Sequence, residues 1–261
     1  DYLVPNRFEY GYGLSPEIVE LAKTKNPAVI VTVDNGVSSI AGVALAQREG
    51  IDVIVTDHHL PGRERPDALA LVNPNLPESK FGSGALAGVG VAYYVLGVLR
   101  KKLVDQGWFT ERPMPNLANY LDLVALGTVA DVVPLDSNNR RLVQQGLLRI
   151  RAGRCRPGIK ALAEIGKRTL STLSAQDLGF AIGPRLNAAG RLEDMAIGIK
   201  CLLAEDFREA RQRATALDQL NVARRQLERD MVGDAELLLA TDQADTERTG
   251  LSVYHESFHQ G

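Results

Sequence analysis

The amino-acid sequence predicts an α/β fold: a parallel sheet, then a helical region, then one long connecting helix. Three observations predict it. Residues 28–33 (AVIVTV) form a β-branched apolar run of the kind a parallel sheet buries on both faces. A helical stretch separates that run from a second, residues 52–56 (DVIVT), and strand, helix, strand at this spacing is a βαβ unit. Far downstream, Phe207, Ala210, Ala214, Leu217, Leu220, Ala223, Leu227, Met231, Ala235 and Leu238 recur every three or four residues.

Each element follows from local chemistry. Asp34-Asn35-Gly36 ends the first strand with turn residues. Ser38 or Ser39 can cap a helix that runs to about Glu49, and Gly50 closes it. A third strand, residues 68–73, follows a Pro/Gly-rich loop. Residues 87–104 and 116–133 read as helices of high apolar content. Shorter helices are expected over 138–203, with loops at 153–157 and 183–191. The periodic segment 205–240 reads as one amphipathic helix with Gly233 as a candidate break. At about 1.5 Å per residue it would be roughly 50 Å long, more than a small domain is wide. Leu251-Ser252-Val253-Tyr254 has strand character.

Composition excludes several classes. The 261 residues are 45% hydrophobic and 24% charged, which is ordinary for a globular protein. No apolar run reaches membrane-spanning length, and no signal-peptide pattern opens the chain. Cys155 and Cys201 have no metal-binding spacing and read as reduced thiols, which suits the cytoplasm. The net charge of −2 hides an asymmetry: residues 140–168 hold nine Arg or Lys and one acid, Glu164. Such a basic segment on an acidic remainder suits a bound polyanion, or a solvated helical surface. Both ends read as internal. The chain opens on Asp1-Tyr2-Leu3-Val4, strand-like in character, and stops at Gly261 without a tail signal, as a fragment would.

The acids and histidines mark the chemistry. Asp34 and Asp57 each directly follow a strand, at the carboxyl ends where α/β proteins bind ligands. If the two strands are neighbours, both carboxylates share one rim. Asp57-His58-His59 sets three potential ligands or proton carriers in a row, using two of the four histidines in the chain. Carboxylates with imidazole favour Mn²⁺, Fe²⁺ or Zn²⁺, with Mg²⁺ possible through carboxylates and water. The lack of nearby thiolates argues against a structural zinc site. Asp131 stands in an apolar stretch, GTVADVVPL, where a buried carboxylate needs a cation or several donors. In GPRLNAAGRL at 183–192, Arg185, Asn187 and Arg191 sit among small residues that let a ligand approach the backbone. Arginine forks suit phosphate. Arg7, in PNRFEYGYGL, lies among glycines and aromatics that could stack on bases. The set points to metal-assisted hydrolysis of a phosphodiester, with paired cations roughly 3.5–4 Å apart.

These motifs resemble the RecJ branch of the DHH phosphoesterase superfamily. They are PNRFEYGYGLS, VTVDNGVSS, VTDHHLPG, NPN, LAGVGVA, LDLVALGTVADVVPL and GPRLNAAGRLEDM, in family order over nearly the whole chain. The resemblance implies a DHH phosphoesterase domain over 1–204, the connecting helix over 205–245, and the start of a DHH-associated domain over 246–261. It implies a single-stranded-DNA-specific 5′→3′ exonuclease of DNA repair and recombination, using two Mn²⁺ or Mg²⁺ ions. Helicase or single-strand-binding proteins are the implied partners, and no membrane is implied. Asp34, His58 and Asp131 match metal ligands, and Asp57 a carboxylate that orients its neighbours. His59 matches a phosphate contact or proton donor, or a further ligand. Arg191, and with it Arg7, Arg185 and Asn187, match groups that grip the scissile region or the 5′ end. The family carries an Asp-rich motif ahead of the first match here, so this chain is expected to hold about half the metal shell and to be inactive alone. His255 and His259 fall to the associated domain. Two other readings stay open. A DHH phosphodiesterase of short oligonucleotides or cyclic dinucleotides would show no preference for long strands. A non-catalytic DNA-binding scaffold would show eroded metal ligands.

Overall fold

The computed structural model describes residues 1–192, 195–241, 250 and 252–259, without the side chains of Arg7, Phe8, Ala240 and Thr241. A short helix α1 (Arg7–Tyr10) is followed by α2 (Pro16–Lys23), whose Ser15 accepts the Ile18 N–H and whose first position is proline, both standard starts for a helix. Strand β1 (Val29–Val33), helix α3 (Ile40–Arg48) and strand β2 (Asp52–Thr56) form the expected βαβ unit. Strand β3 (Ala70–Val72) completes a parallel sheet in the order β1-β2-β3, with Val33 opposite Thr56 and Thr56 opposite Val72. Gly50, at φ +72°, turns the chain out of α3.

One face of the sheet packs on α2 and α3. Val53 and Val55 join Leu14, Ile18, Val19, Val43 and Ala46 in a closed core. The other face departs from expectation. Val29, Val31 and Val33 are 43%, 54% and 49% exposed, so β1 is not buried on both sides. Helix α4 (Gly88–Asp105) contacts β1 and β2 but leaves the three valines uncovered. Residues 1–6 carry no strand, despite their apolar start, although Leu3 packs against the core under the sheet.

The second half is helical. A 3-10 turn (Leu117–Tyr120) leads into α5 (Leu121–Ala130), where a single helix through Val133 was expected. It stops at Asp131 because Val132 turns left-handed, at φ +59°. Helices α6 (Ser137–Arg151) and α7 (Pro157–Ile165) flank the expected loop, in which Gly153 has φ +72°. A one-turn helix α8 (Ala175–Asp177) runs through a π turn (Leu178–Ile182) into α9 (Gly183–Leu192). Residues 183–191 are thus helix, not loop. The register slips just before Pro184, where a backbone donor is missing in any case, so the proline does not end the helix. Helix α10 (Ala196–Leu203) precedes α11 (Phe207–Thr241). Helix α11 passes unbroken through Gly233, because one glycine costs only about 1 kcal/mol in a helix this long.

A large core joins these helices. Ile150, Ile159, Leu162, Leu178, Ile182, Ala189 and Leu217 are fully buried in it. A smaller cluster of Leu86, Val91, Leu121, Val124 and Leu142 ties α4 to α5 and α6. Among the described residues, no helix is long and apolar enough to cross a membrane. Ser252, Val253 and Tyr254 form no strand, having no neighbour to pair with among the described residues; residues 242–249, part of the expected domain junction, lie outside them.

Candidate metal centre

Strands β1 and β2 are neighbours, so Asp34 and Asp57 leave the sheet side by side. The ladder carries on for one residue past each strand: Asp34 N donates to Thr56 O at 2.9 Å and Asp57 N to Val72 O at 3.0 Å. Beyond that the two acids diverge. Asp34 adopts φ +64°, a left-handed conformation that aspartate tolerates better than most residues. Its side chain stands half-exposed over the start of α4. Gly36, at φ +114°, closes the turn where a Cβ would lie 2.6 Å from Thr32 Oγ1. That turn swings the Val37 N–H onto Asp57 Oδ2 at 2.8 Å.

Asp57 is a structural hub. Its side chain is 1% exposed, and Oδ1 accepts the backbone N–H groups of His58 and His59 at 2.7 and 3.2 Å. The same oxygen lies 2.7 Å from His59 Nδ1. Burial by itself would raise the Asp57 pKa, but the Val37 and His59 donors outweigh it and hold the carboxyl below its ordinary value. Burial also opposes protonation of His59, yet the Asp57 carboxylate beside it raises the imidazole pKa. The next strand supplies a second brace. Asn73 donates to the His59 carbonyl at 2.8 Å, and Asn75 donates to the His58 carbonyl. The Asn75 N–H in turn bonds Asn73 Oδ1 at 2.8 Å. Neither asparagine is among the site residues expected from the sequence, and Asn-Pro-Asn directly after a strand is the signal that could have found them.

His58 then reaches away from Asp57. Its Nε2 lies 3.0 Å from Asp34 Oδ1 and 3.3 Å from Asp131 Oδ2. Neither approach has the direction of a hydrogen bond, so Nε2 is a buried nitrogen without a hydrogen-bond partner. A nitrogen held between two carboxylate oxygens at these distances suits a shared cation better than a proton. Ligand atoms of Asp34, His58 and His59 all lie within 4.8 Å of one another. Crowding by protein raises the Asp34 pKa, the His58 charge opposes it, and the Asp131 and Asp57 charges reinforce it. A divalent cation would offset that repulsion. Asp131 reaches the cluster from the C-terminus of α5 and is not buried as its apolar neighbours suggested, because the helix ends there and presents the side chain at 35% exposure.

The phosphate-binding candidates separate. Asn187 and Arg191 line a cleft of about 470 Å³ together with Asp34, Asn35 and Tyr12. The Tyr12 hydroxyl donates to the Asp34 carbonyl at 2.9 Å, and its ring meets His59 edge-on at 6.2 Å. Arg185 points elsewhere: its Nε bonds Asp218 Oδ1 at 2.8 Å, within the helical core. The side chain of Arg7 lies outside the described residues. The basic segment is partly neutralised. Arg156 pairs with Asp122 at 2.6 Å, Arg168 with Asp177 at 2.8 Å, and Arg151 and Arg140 bond backbone carbonyls.

Residues 1–128 match the model of the DHH family, N-terminal domain. Over 264 residues the chain is 60% identical to the single-stranded-DNA-specific exonuclease RecJ of Salmonella typhimurium, covering all of this chain and 46% of that protein. The crystal structure of exonuclease RecJ bound to manganese superposes with a TM-score of 0.76 at 37% identity, covering 89% of this chain and 56% of that one. RecJ from Thermus thermophilus in complex with Mg²⁺ superposes at 0.56 with 30% identity, covering 84% and 35%. The chain spans under half the length of such curated relatives. With its first half matched by the domain model and its full length aligned with RecJ, the chain belongs to the DHH family, on the RecJ branch.

Proposed function

We propose that the chain forms the metal-binding part of a single-stranded-DNA-specific 5′→3′ exonuclease acting in DNA repair and recombination in the cytoplasm. The observation that carries this is His58 Nε2, buried and without a hydrogen bond, between the carboxylates of Asp34 and Asp131. Asp34, His58 and Asp131 would hold Mn²⁺ or Mg²⁺, the ions named for the RecJ structures, and His59 also offers a ligand atom within 4.8 Å of those of Asp34 and His58. Such cations activate water and neutralise charge on a leaving oxygen.

The chain's own residues supply the rest. Asp57 fixes the His58 and His59 backbone and holds the His59 ring. With its pKa raised by Asp57, His59 can carry a proton at the open side of the cluster, where a leaving oxygen would need one. Asn187 and Arg191 line the adjoining cleft and can grip non-bridging phosphate oxygens. Tyr12, anchored through its hydroxyl and 65% exposed, offers a ring face to a base or sugar. Asp34, Asp57, His58, His59 and Asp131 are all present in the sequence, which supports this reading over a scaffold with eroded ligands.

The test uses the full-length protein, 5′-labelled single-stranded DNA and Mn²⁺, compared with His58→Ala. Loss of digestion in the variant is expected, and equal digestion by both would reject the metal site. Equal rates on dinucleotides and long strands would instead favour the short-oligonucleotide phosphodiesterase.

A further inference from the structure

Helix α9 presents two chemically different faces. Asn187 and Arg191 are four residues apart, so they share the face that lines the Asp34 cleft. Arg185 lies on another face and is 13% exposed. Its Nε bonds Asp218 of α11 at 2.8 Å, and its Nη1 donates to the Ala181 carbonyl in the preceding π turn. One guanidinium therefore ties the start of α9 both to the long helix and to the turn where the register slips.

Elsewhere these helices share one apolar core, in which Leu186 and Ala189 of α9 and Leu217 of α11 are buried. Apolar packing of this kind has no direction of its own. The charge-assisted Arg185–Asp218 bond adds a fixed direction to that packing. The stake is geometric. A rotation of about 10° moves an arginine tip by roughly 1 Å, and a shift of that size can cost about a hundredfold in rate.

We propose that Arg185 and Asp218 form a positioning pair that sets Asn187 and Arg191 against the metal cleft. The pair acts through Arg191 and does not touch substrate. The proposal rests on the reading of that cleft as the phosphodiester site, and the experiment separates the two. In the full-length protein, Asp218→Ala is compared with Arg191→Ala and with the double variant, on 5′-labelled single-stranded DNA. Asp218→Ala is expected to lower kcat/KM by about tenfold, and by less than about twofold when Arg191 is already alanine. Mn²⁺ affinity by calorimetry should stay within about twofold, because the ligands lie on other elements. Asp218→Asn, which keeps the shape, should give the same pattern at smaller size and serves if the alanine variant unfolds. Equal losses in both Arg191 backgrounds, or a parallel fall in Mn²⁺ affinity, would overturn the pair's positioning role. A wild-type protein that leaves single-stranded DNA intact would remove the nuclease reading itself, and this proposal with it.

Discussion

Gly88 leaves free the space that the Asp34 side chain fills. A Cβ built on Gly88 would lie 2.3 Å from Asp34 Oδ1 and 2.6 Å from Asp34 Cβ, so the first turn of α4 admits Asp34 only because residue 88 has no side chain. The acid thereby sits against a helix N-terminus, which favours its negative charge. Gly88→Ala should push Asp34 out of line with His58. We expect about a tenfold loss of Mn²⁺ affinity by calorimetry, with helical content retained in circular dichroism. Unchanged affinity would show that Asp34 can move without consequence.

Asp57→Asn tests the hub. The amide keeps the shape but has one acceptor oxygen in place of two, so either the His58 and His59 donors on Oδ1 or the Val37 N–H on Oδ2 lose their acceptor. Leaving buried donors short of a partner should cost about 1–3 kcal/mol in thermal melting. Mn²⁺ affinity should fall by about ten- to hundredfold, although Asp57 is not assigned as a ligand.

Asn75→Ala and Asn73→Ala remove the braces on the His58 and His59 carbonyls. Each should weaken Mn²⁺ binding by about tenfold while leaving the sheet intact. Asn73→Ala should be the worse for stability, because Asn73 is 5% exposed and also holds the Asn75 N–H.

Asp122→Ala should be among the most destabilising changes in the helical half. Asp122 is 1% exposed and accepts from Leu123 N, Arg156 N and Arg156 Nη1. Removing one partner of a buried pair costs about 3–5 kcal/mol, readable in urea unfolding. A loss below about 1 kcal/mol would mean that Arg156 finds water instead.

Asp136 sets a pH dependence. The Asn139 N–H and then the Ser83 hydroxyl hold its carboxyl below its ordinary value, at the start of α6. A lowered pKa in the folded state contributes stability that is complete above the ordinary carboxylate pKa and disappears as pH falls through the lowered one. Melting temperature should therefore drop on acidification below about pH 4 less steeply in Asp136→Asn than in the parent protein.

The sequence by itself determined the parts that depend on neighbours along the chain. Continuous β-branched runs made β1 and β2, Asp34-Asn35-Gly36 made the turn, and a helical period made α11, because each rests on local backbone preference and side-chain spacing. It also placed the two acids at the strand ends. Only the tertiary structure decided what meets what. Asp131 reaches His58 because α5 packs where it does and ends at a left-handed Val132. Arg185 and Arg191, alike as motif residues, part company because they leave different faces of a helix that Gly183-Pro184 had disguised as a loop. The valines of β1, uniform in sequence, stay exposed because burial depends on what covers a face, which no strand encodes. Proximity in space is a property of packing, and a metal site needs it to within a fraction of an ångström.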